Sequence, residues 1–177
     1  MNREKRIIRI NSENMDNLPS HCKKVSGNKT HTLSTSMCLP LKRDDVFPFF
    51  ADASNLETIT PPELCFSILS PQPITINEGT IINYQLRLFG IPFKWRTRIT
   101  LWEPPHRFID EQISGPYRLW IHTHRFLEEN ESTTITDEVQ YWLPWWPFGE
   151  VSYPFVYLLL KRIFSYRQKK IWQILVG

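Results

Sequence analysis

Alternation of apolar and polar side chains is densest between Phe93 and Phe126, where three alternating runs are separated by Glu103-Pro104-Pro105-His106 and Ser114-Gly115-Pro116. Successive strand side chains point to opposite faces, so this pattern predicts an antiparallel meander. Its first strand sets Trp95, Thr97, Ile99 and Leu101 on one face, against Lys94, Arg96, Arg98 and Thr100. The second groups Phe108, Asp110 and Gln112, and the third groups Trp120, His122, His124 and Phe126. With Phe108 and Trp120 marking the interior, each strand carries polar groups inward beside its aromatics. A sealed core does not hold so many polar groups without partners, so this mixed face is where function is expected.

The pattern extends in both directions. His31, Leu33, Thr35 and Met37 alternate with Thr32, Ser34, Ser36 and Cys38, a first strand that ends before Pro40. Two short helices are predicted next, Val46 to Ala51 and Ala53 to Thr58. Asp44 and Asp45 suit the positive end of the first helix, Pro48 fits only its first turn, Asp52 or Ser54 caps the second, and Pro61-Pro62 ends it. Glu63 to Leu69 reads as strand, and Pro71, Pro73 and Asn77-Glu78-Gly79 as a turn. Thr80 to Phe89 is a half-buried strand with Ile82, Tyr84, Leu86 and Leu88 on one side, and Gly90-Ile91-Pro92 leads into the meander. After the charged loop Glu128-Glu129-Asn130-Glu131-Ser132, the last strand runs from Thr133 to Trp142 with Asp137, Val139 and Tyr141 on one face. From Ser152 to about Val176 the spacing turns helical, with Val156, Leu160, Ile163, Phe164, Ile171 and Ile174 in a stripe. A helix of that length needs the sheet as its partner.

Composition changes this picture in three places. A chain of 177 residues with 41% hydrophobic content supports one folded domain, here 30–177. Residues 1–29 are polar, basic and unpatterned, and read as a disordered tail. Basic residues sit at the two ends, and 151–177 holds Lys161, Arg162, Arg167, Lys169 and Lys170 with no acid. That distribution excludes a nucleic-acid-binding face across the domain. Cys22, Cys38 and Cys65 are odd in number and lack metal-binding spacing, which points to a reducing, cytoplasmic setting. Ile7, Ile8 and Ile10 are too few for a signal-peptide core, and the longest apolar run, Tyr153 to Leu160, is too short to cross a bilayer.

Aromatics make up 14% of the chain, including seven Trp, residues of ligand cavities and membrane interfaces as well as of bulky cores. Trp145, Trp146 and Phe148 fall in a connection that no turn requires, and rings there must cover something. Two readings stay open: a lid over a cavity mouth, or a peripheral membrane-docking end formed with Lys161, Arg162, Lys169 and Lys170.

His122 and His124 project the same way from one strand, about 7 Å apart by strand rise, and Asp110 and Asp137 face them from neighbouring strands. Such a set can hold Zn²⁺ or Fe²⁺ or supply an acid and a base. Because His-x-His pairs are common in sheets, the favoured reading is a hydrogen-bonded polar floor of Asp110, Gln112, His122, His124 and Asp137 that orients a ligand head group. No metal or other cofactor is expected. Arg167, on or near the helical stripe, is expected to pair with an inward acid such as Asp137 in preference to gripping an anionic ligand. No phosphate-cradling loop, dinucleotide fingerprint or Ser/Cys nucleophile motif is present, and six Gly leave little room for one.

The order of one strand, two short helices, six strands and a long C-terminal helix resembles the helix-grip fold of the SRPBCC superfamily. Relatives in that superfamily include START lipid-transfer domains, polyketide cyclases and the birch-pollen allergen family. The resemblance is closest to the bacterial cyclase/dehydrase-like, ligand-binding branch and covers about residues 30–170. It is carried by Phe50-Ala51-Asp52-Ala53-Ser54-Asn55-Leu56 with Ile59-Thr60-Pro61-Pro62, Trp95, Thr97, Trp102-Glu103-Pro104-Pro105, Phe108, Asp110, Gln112, Gly115-Pro116-Tyr117, Trp120, His122, His124, Phe126, Asp137 and Tyr141. The resemblance implies an α+β fold in which a curved seven-stranded antiparallel sheet, two short helices and a long C-terminal helix enclose a cavity. It further implies binding, and possible transport, of a hydrophobic or amphipathic small molecule such as a lipid, quinone or polyketide. The alternative it implies is a polyketide cyclase or dehydratase using His122, His124, Asp110 or Asp137. The ligand-binding residues expected on this basis are Tyr84, Trp95, Thr97, Phe108, Asp110, Gln112, Trp120, His122, His124, Tyr141, Trp145, Trp146, Phe164 and Arg167.

Overall fold

A computed structural model describes residues 30–88, 90–145 and 148–177. The basic tail 1–29, with Cys22, and the expected site residue Trp146 lie outside the described residues. Seven strands, β1 (His31–Leu39), β2 (Ser67–Ile68), β3 (Ile81–Leu88), β4 (Ile91–Glu103), β5 (Arg107–Ser114), β6 (Leu119–Glu129) and β7 (Ser132–Trp142), form one antiparallel sheet in the order β1-β7-β6-β5-β4-β3-β2. Between β1 and β2 the chain forms α1 (Arg43–Ala51), α2 (Asn55–Ile59) and a 3₁₀ turn (Pro62–Leu64). After β7 come a single turn, α3 (Phe148–Val151), and the long α4 (Tyr153–Leu175). The meander and final strand follow the alternation in the sequence: in β7 every second residue from Thr133 to Tyr141 is buried.

Two register shifts between β4 and β5, at Arg96/Thr97 and Ile99/Leu101, bend the sheet. The second changes which face β4 shows. Trp95, Thr97 and Ile99 point inward as alternation predicts, but beyond the bulge Trp102 takes the inner position expected of Leu101. It lies opposite Phe108, with its ring 5.5 Å from those of Phe108 and Phe47.

Other expectations are corrected by local chemistry. α1 begins three residues earlier than predicted, so Pro48 lies beyond the first turn and removes the donor to the Asp44 carbonyl. Ser54 precedes α2 but makes no capping hydrogen bond through its side chain; its N–H and hydroxyl both donate to Asp52 Oδ1, at 2.9 and 2.7 Å. Most of Glu63 to Leu69 is not strand. Pro62 starts a 3₁₀ turn in which Leu64 and Cys65 donate to the Pro61 and Pro62 carbonyls, and only Ser67 and Ile68 join the sheet.

α4 buries Leu160, Phe164 and Ile171, as its stripe predicts. Ile174 is exposed, and Leu175 and Val176 pack on the core in its place as the last turn runs off the sheet. Burial falls in three clusters, of which the smallest holds Ala53, Ile76, Ile82 and Ile99 and the other two are aromatic. Trp95, Trp120, Tyr141, Leu160 and Phe164 pack together in one of these two, and Phe47, Phe108, Phe126, Ile135 and Ile171 in the other. The polar residues of β5, β6 and β7 lie between them.

Candidate functional site

A cavity of about 160 Å³ lies between α4 and the inner face of the sheet. Its wall is largely apolar, formed by Phe50 of α1, Tyr84 and Leu86 of β3, Trp95 of β4, Phe108 of β5, Trp120 of β6, and Leu160 and Phe164 of α4. Into it turn Thr97, Asp110, His122, His124, Asp137 and Arg167.

The polar cluster follows from strand pairing. Asp110 of β5 is directly opposite His122 of β6, and His124 is directly opposite Asp137 of β7. The two rings lie far closer than strand rise predicts, with centroids 3.8 Å apart, because both turn toward the same pair of carboxylates. Asp110 Oδ2 is 3.4 Å from His122 Nδ1 and 3.3 Å from His124 Nε2. Asp137 Oδ1 is 3.3 Å from His122 Nε2 and 2.8 Å from His124 Nδ1, contacts whose angles fall short of hydrogen-bond alignment. Thr97 Oγ1 lies 3.2 Å from Asp110 Oδ1 and 2.9 Å from the Glu111 carbonyl. Phe108 stacks on His124 at 4.1 Å, and Phe164 meets His122 edge-on at 5.4 Å.

Burial and charge pull these groups in opposite directions. Burial disfavours the Asp110 carboxylate, but the His124 hydrogen bond and the fields of both rings prevail and hold it below the usual range. Asp137 is pushed far lower by the same two rings against the same burial. Burial and the charge of its neighbour lower His122. His124 rises to about 8 against burial, through its contacts with Asp110 and Asp137. Tyr84 is raised by burial and by Asp110, an effect that Arg167 partly offsets.

Arg167 is not paired as expected. The rings of His122 and His124 occupy Asp137, and among the described residues Arg167 forms no ion pair. Its Nε is buried without a hydrogen-bond partner, and the guanidinium sits 5.5 Å over the Phe164 ring. The Trp95 Nε1 is likewise buried and unpartnered among the described residues.

Of the expected binding residues, Tyr84, Trp95, Thr97, Phe108, Asp110, Trp120, His122, His124, Phe164 and Arg167 line the cavity. Gln112 does not: its side chain closes the β5–β6 turn, donating to the Tyr117 carbonyl at 2.6 Å and accepting from the Tyr117 N–H. Tyr141 is sealed in the core. Trp145 is exposed and lies outside the cavity wall. The sequence reading missed Phe50, Tyr117, Leu160 and Ile171 as lining residues. Signals for all four existed: Phe50 and Tyr117 fall in stretches that carry the family resemblance, and Leu160 and Ile171 lie on the helical stripe.

No protein-family model matches the chain, and no curated protein is similar to it in sequence. Solved structures show the fold. The chain is similar to a protein of Thermus thermophilus (TM-score 0.65, 17% identity, covering 82% of this chain and 97% of that one). It is also similar to a START superfamily protein of Mycobacterium smegmatis (TM-score 0.62, 11% identity, 82% and 97%). A third is norcoclaurine synthase of Thalictrum flavum, solved with dopamine and hydroxybenzaldehyde (TM-score 0.62, 14% identity, 83% and 87%).

Proposed function

We propose that this chain, which has the helix-grip fold of the SRPBCC superfamily, binds a small amphipathic molecule between its sheet and α4, with the polar end of that molecule at Arg167. The observation that carries this reading is Arg167 itself, a guanidinium on the wall of an apolar cavity with its Nε buried and no carboxylate paired to it. Arg167 is half-buried, and its shielded Nε is a donor without a partner, a costly state that an anionic ligand relieves. Trp95 Nε1 offers a second unsatisfied donor on the same wall. Cavity size bounds the guest: drug-sized ligands occupy roughly 300–1,000 Å³, whereas a hydrocarbon cavity of about 150 Å³ holds benzene. A cavity of about 160 Å³ therefore suits one ring, or the end of a longer lipid, quinone or polyketide-like chain.

Calorimetric titration with 4-phenylbutyrate and 4-phenylbutanol tests the reading. Both ligands bind, and the acid binds at least about tenfold more tightly, since a hydrogen bond to a charged group contributes about 1.5–3 kcal/mol. Arg167→Met removes that preference and leaves the alcohol's affinity unchanged. If neither ligand binds, nor any co-purifying molecule appears on solvent extraction, the cavity is not a binding site. Equal affinities would retain the cavity and remove Arg167 from the head-group contact.

Chemistry at the same wall is a second reading. It is supported by the Asp110–His124 contact facing the cavity, which is the arrangement of an oriented base in a cyclase or dehydratase. A peripheral membrane contact is proposed alongside binding, on the exposure of the rings and aliphatic side chains around α3. No helix of the described residues is long and apolar enough to cross a membrane.

A further inference from the structure

We propose that Asp110, His122 and His124 form a site for a divalent transition-metal ion of the zinc class, with Asp137 orienting the two imidazoles from behind. This departs from the sequence expectation of no metal, and it rests on which atom faces which.

Each ring presents both of its nitrogens to carboxylate oxygens: His122 Nδ1 and His124 Nε2 face Asp110 Oδ2, while His122 Nε2 and His124 Nδ1 face Asp137 Oδ1. A neutral imidazole carries one N–H. In each neutral ring one of the two contacts therefore sets a lone pair against a carboxylate lone pair. Protonating one ring still leaves one conflicting contact at the other, and protonating both would place two cations with ring centroids 3.8 Å apart in a buried site.

A metal ion resolves the conflict with every group used once. On the Asp110 side the two nitrogen lone pairs and Oδ2 become ligands. On the Asp137 side both rings turn a nitrogen toward Oδ1, at 3.3 and 2.8 Å, and with the metal bound a small rotation aligns their N–H groups on that carboxylate, the usual device that fixes the tautomer and orientation of metal-bound histidines. Thr97 Oγ1, 3.2 Å from the other oxygen of Asp110, steadies that ligand. A dication with two carboxylates and two neutral imidazoles sums to zero charge, the least costly state for a buried cluster.

The distances agree. Charge-assisted hydrogen bonds run at about 2.7–2.9 Å, and Asp110 Oδ2 lies beyond that from both nitrogens, at 3.4 and 3.3 Å. In a tetrahedral site with bonds of about 2.1 Å the ligand–ligand edge is about 3.4 Å. The three ligand atoms all lie within 4.8 Å of one another. Since all three side chains line the cavity, the remaining coordination position faces it. Two imidazoles and a carboxylate suit Zn²⁺ or Fe²⁺ and exclude the all-oxygen shells of Ca²⁺ and Mg²⁺.

Full-length protein stripped with EDTA and titrated with Co²⁺ tests the proposal. The expected result is one equivalent bound, with the visible absorption of a low-coordinate site, no near-ultraviolet thiolate band, and displacement by Zn²⁺. Asp137→Asn keeps the spectrum and weakens binding about 10–100-fold. His122→Asn loses the spectrum, while the double variant His31→Ala/His106→Ala keeps it. The proposal is overturned if the wild-type protein takes up no stoichiometric Co²⁺, if the spectrum is octahedral or carries a thiolate band, or if His122→Asn with wild-type circular dichroism binds equally well. The wild-type titration decides the matter even if His122→Asn does not fold.

Discussion

Tyr141 has no exposed surface, and its hydroxyl has no hydrogen-bond partner among the described residues. Burial, and then the neighbouring Tyr153, Tyr157 and Glu150, raise its pKa to about 12. Burial also drives Tyr117 upward. The unfolded chain therefore loses these protons first, near pH 10. In that range the native state binds more protons than the unfolded one, so stability falls as pH rises. The contribution is intact below about pH 10 and disappears toward about pH 12. Absorbance at 295 nm should show fewer than the six tyrosines titrating while the protein is folded, and the rest appearing only with loss of ellipticity. Six freely titrating tyrosines in folded protein would contradict the burial of Tyr117 and Tyr141. At this scale the sequence disclosed which residues share a face but not how far each reaches. Alternation set His122 and His124 on one side and strand order brought Asp110 and Asp137 beside them. The rotation of both rings toward shared carboxylates, which leaves Arg167 unpaired, depends on how α4 sits on the sheet, and no spacing rule encodes that.

β4 shows where element-level reading succeeds and where it stops. Period-two alternation identified the strand and the inward set Trp95, Thr97 and Ile99 because half-burial imposes that pattern. The bulge before Leu101 is invisible to it, since an extra residue is inserted without any Gly or Pro to announce it. Inward placement of Trp102 carries an energetic consequence. Its ring packs on Phe47 and Phe108, so Trp102→Ala should cost about 2 kcal/mol or more, below the 3–5 typical of a fully buried Trp because part of the ring is exposed. Leu101→Ala should cost less than half as much. The urea midpoints of the two variants compare them directly, and a larger loss for Leu101→Ala would restore strict alternation. The overall order of strands and helices was legible for the same reason that the bulge was not. Order depends on long-range pattern and breaks such as Pro61-Pro62, whereas the 3₁₀ turn at Pro62–Leu64, where strand was expected to begin, depends on local hydrogen bonds to the Pro61 and Pro62 carbonyls.

At the scale of the whole molecule, one end stands apart from the rest of the surface of the described residues. Trp145, Phe148, Val151, Phe155 and Leu158 are between 62% and 82% exposed. Phe155 and Leu158 are three residues apart on α4 and share a face, and Val151 ends the α3 turn just before it. Beyond them α4 presents Lys161 and Lys169 to solvent, while Arg162 pairs with Glu63, and no acid occurs from Val151 to the end of the chain. An apolar cluster this concentrated is not ordinary surface. Trp145 and Phe148 are exposed and lie outside the cavity wall. For the membrane contact proposed above, the basic residues favour an anionic bilayer: the rings and aliphatic groups would enter the headgroup region, and each nearby Lys would add about 1 kcal/mol. Co-sedimentation should therefore be stronger with phosphatidylserine-containing vesicles than with phosphatidylcholine alone, and should weaken with added salt as the attraction is screened. Phe155→Asp/Leu158→Asp should abolish binding to both vesicle types and leave thermal stability unchanged, since neither side chain contributes to the core. Undiminished binding by that variant would remove this face as the contact. Binding lost for the variant but equal on both vesicle types would keep the apolar contact and remove the basic residues from it.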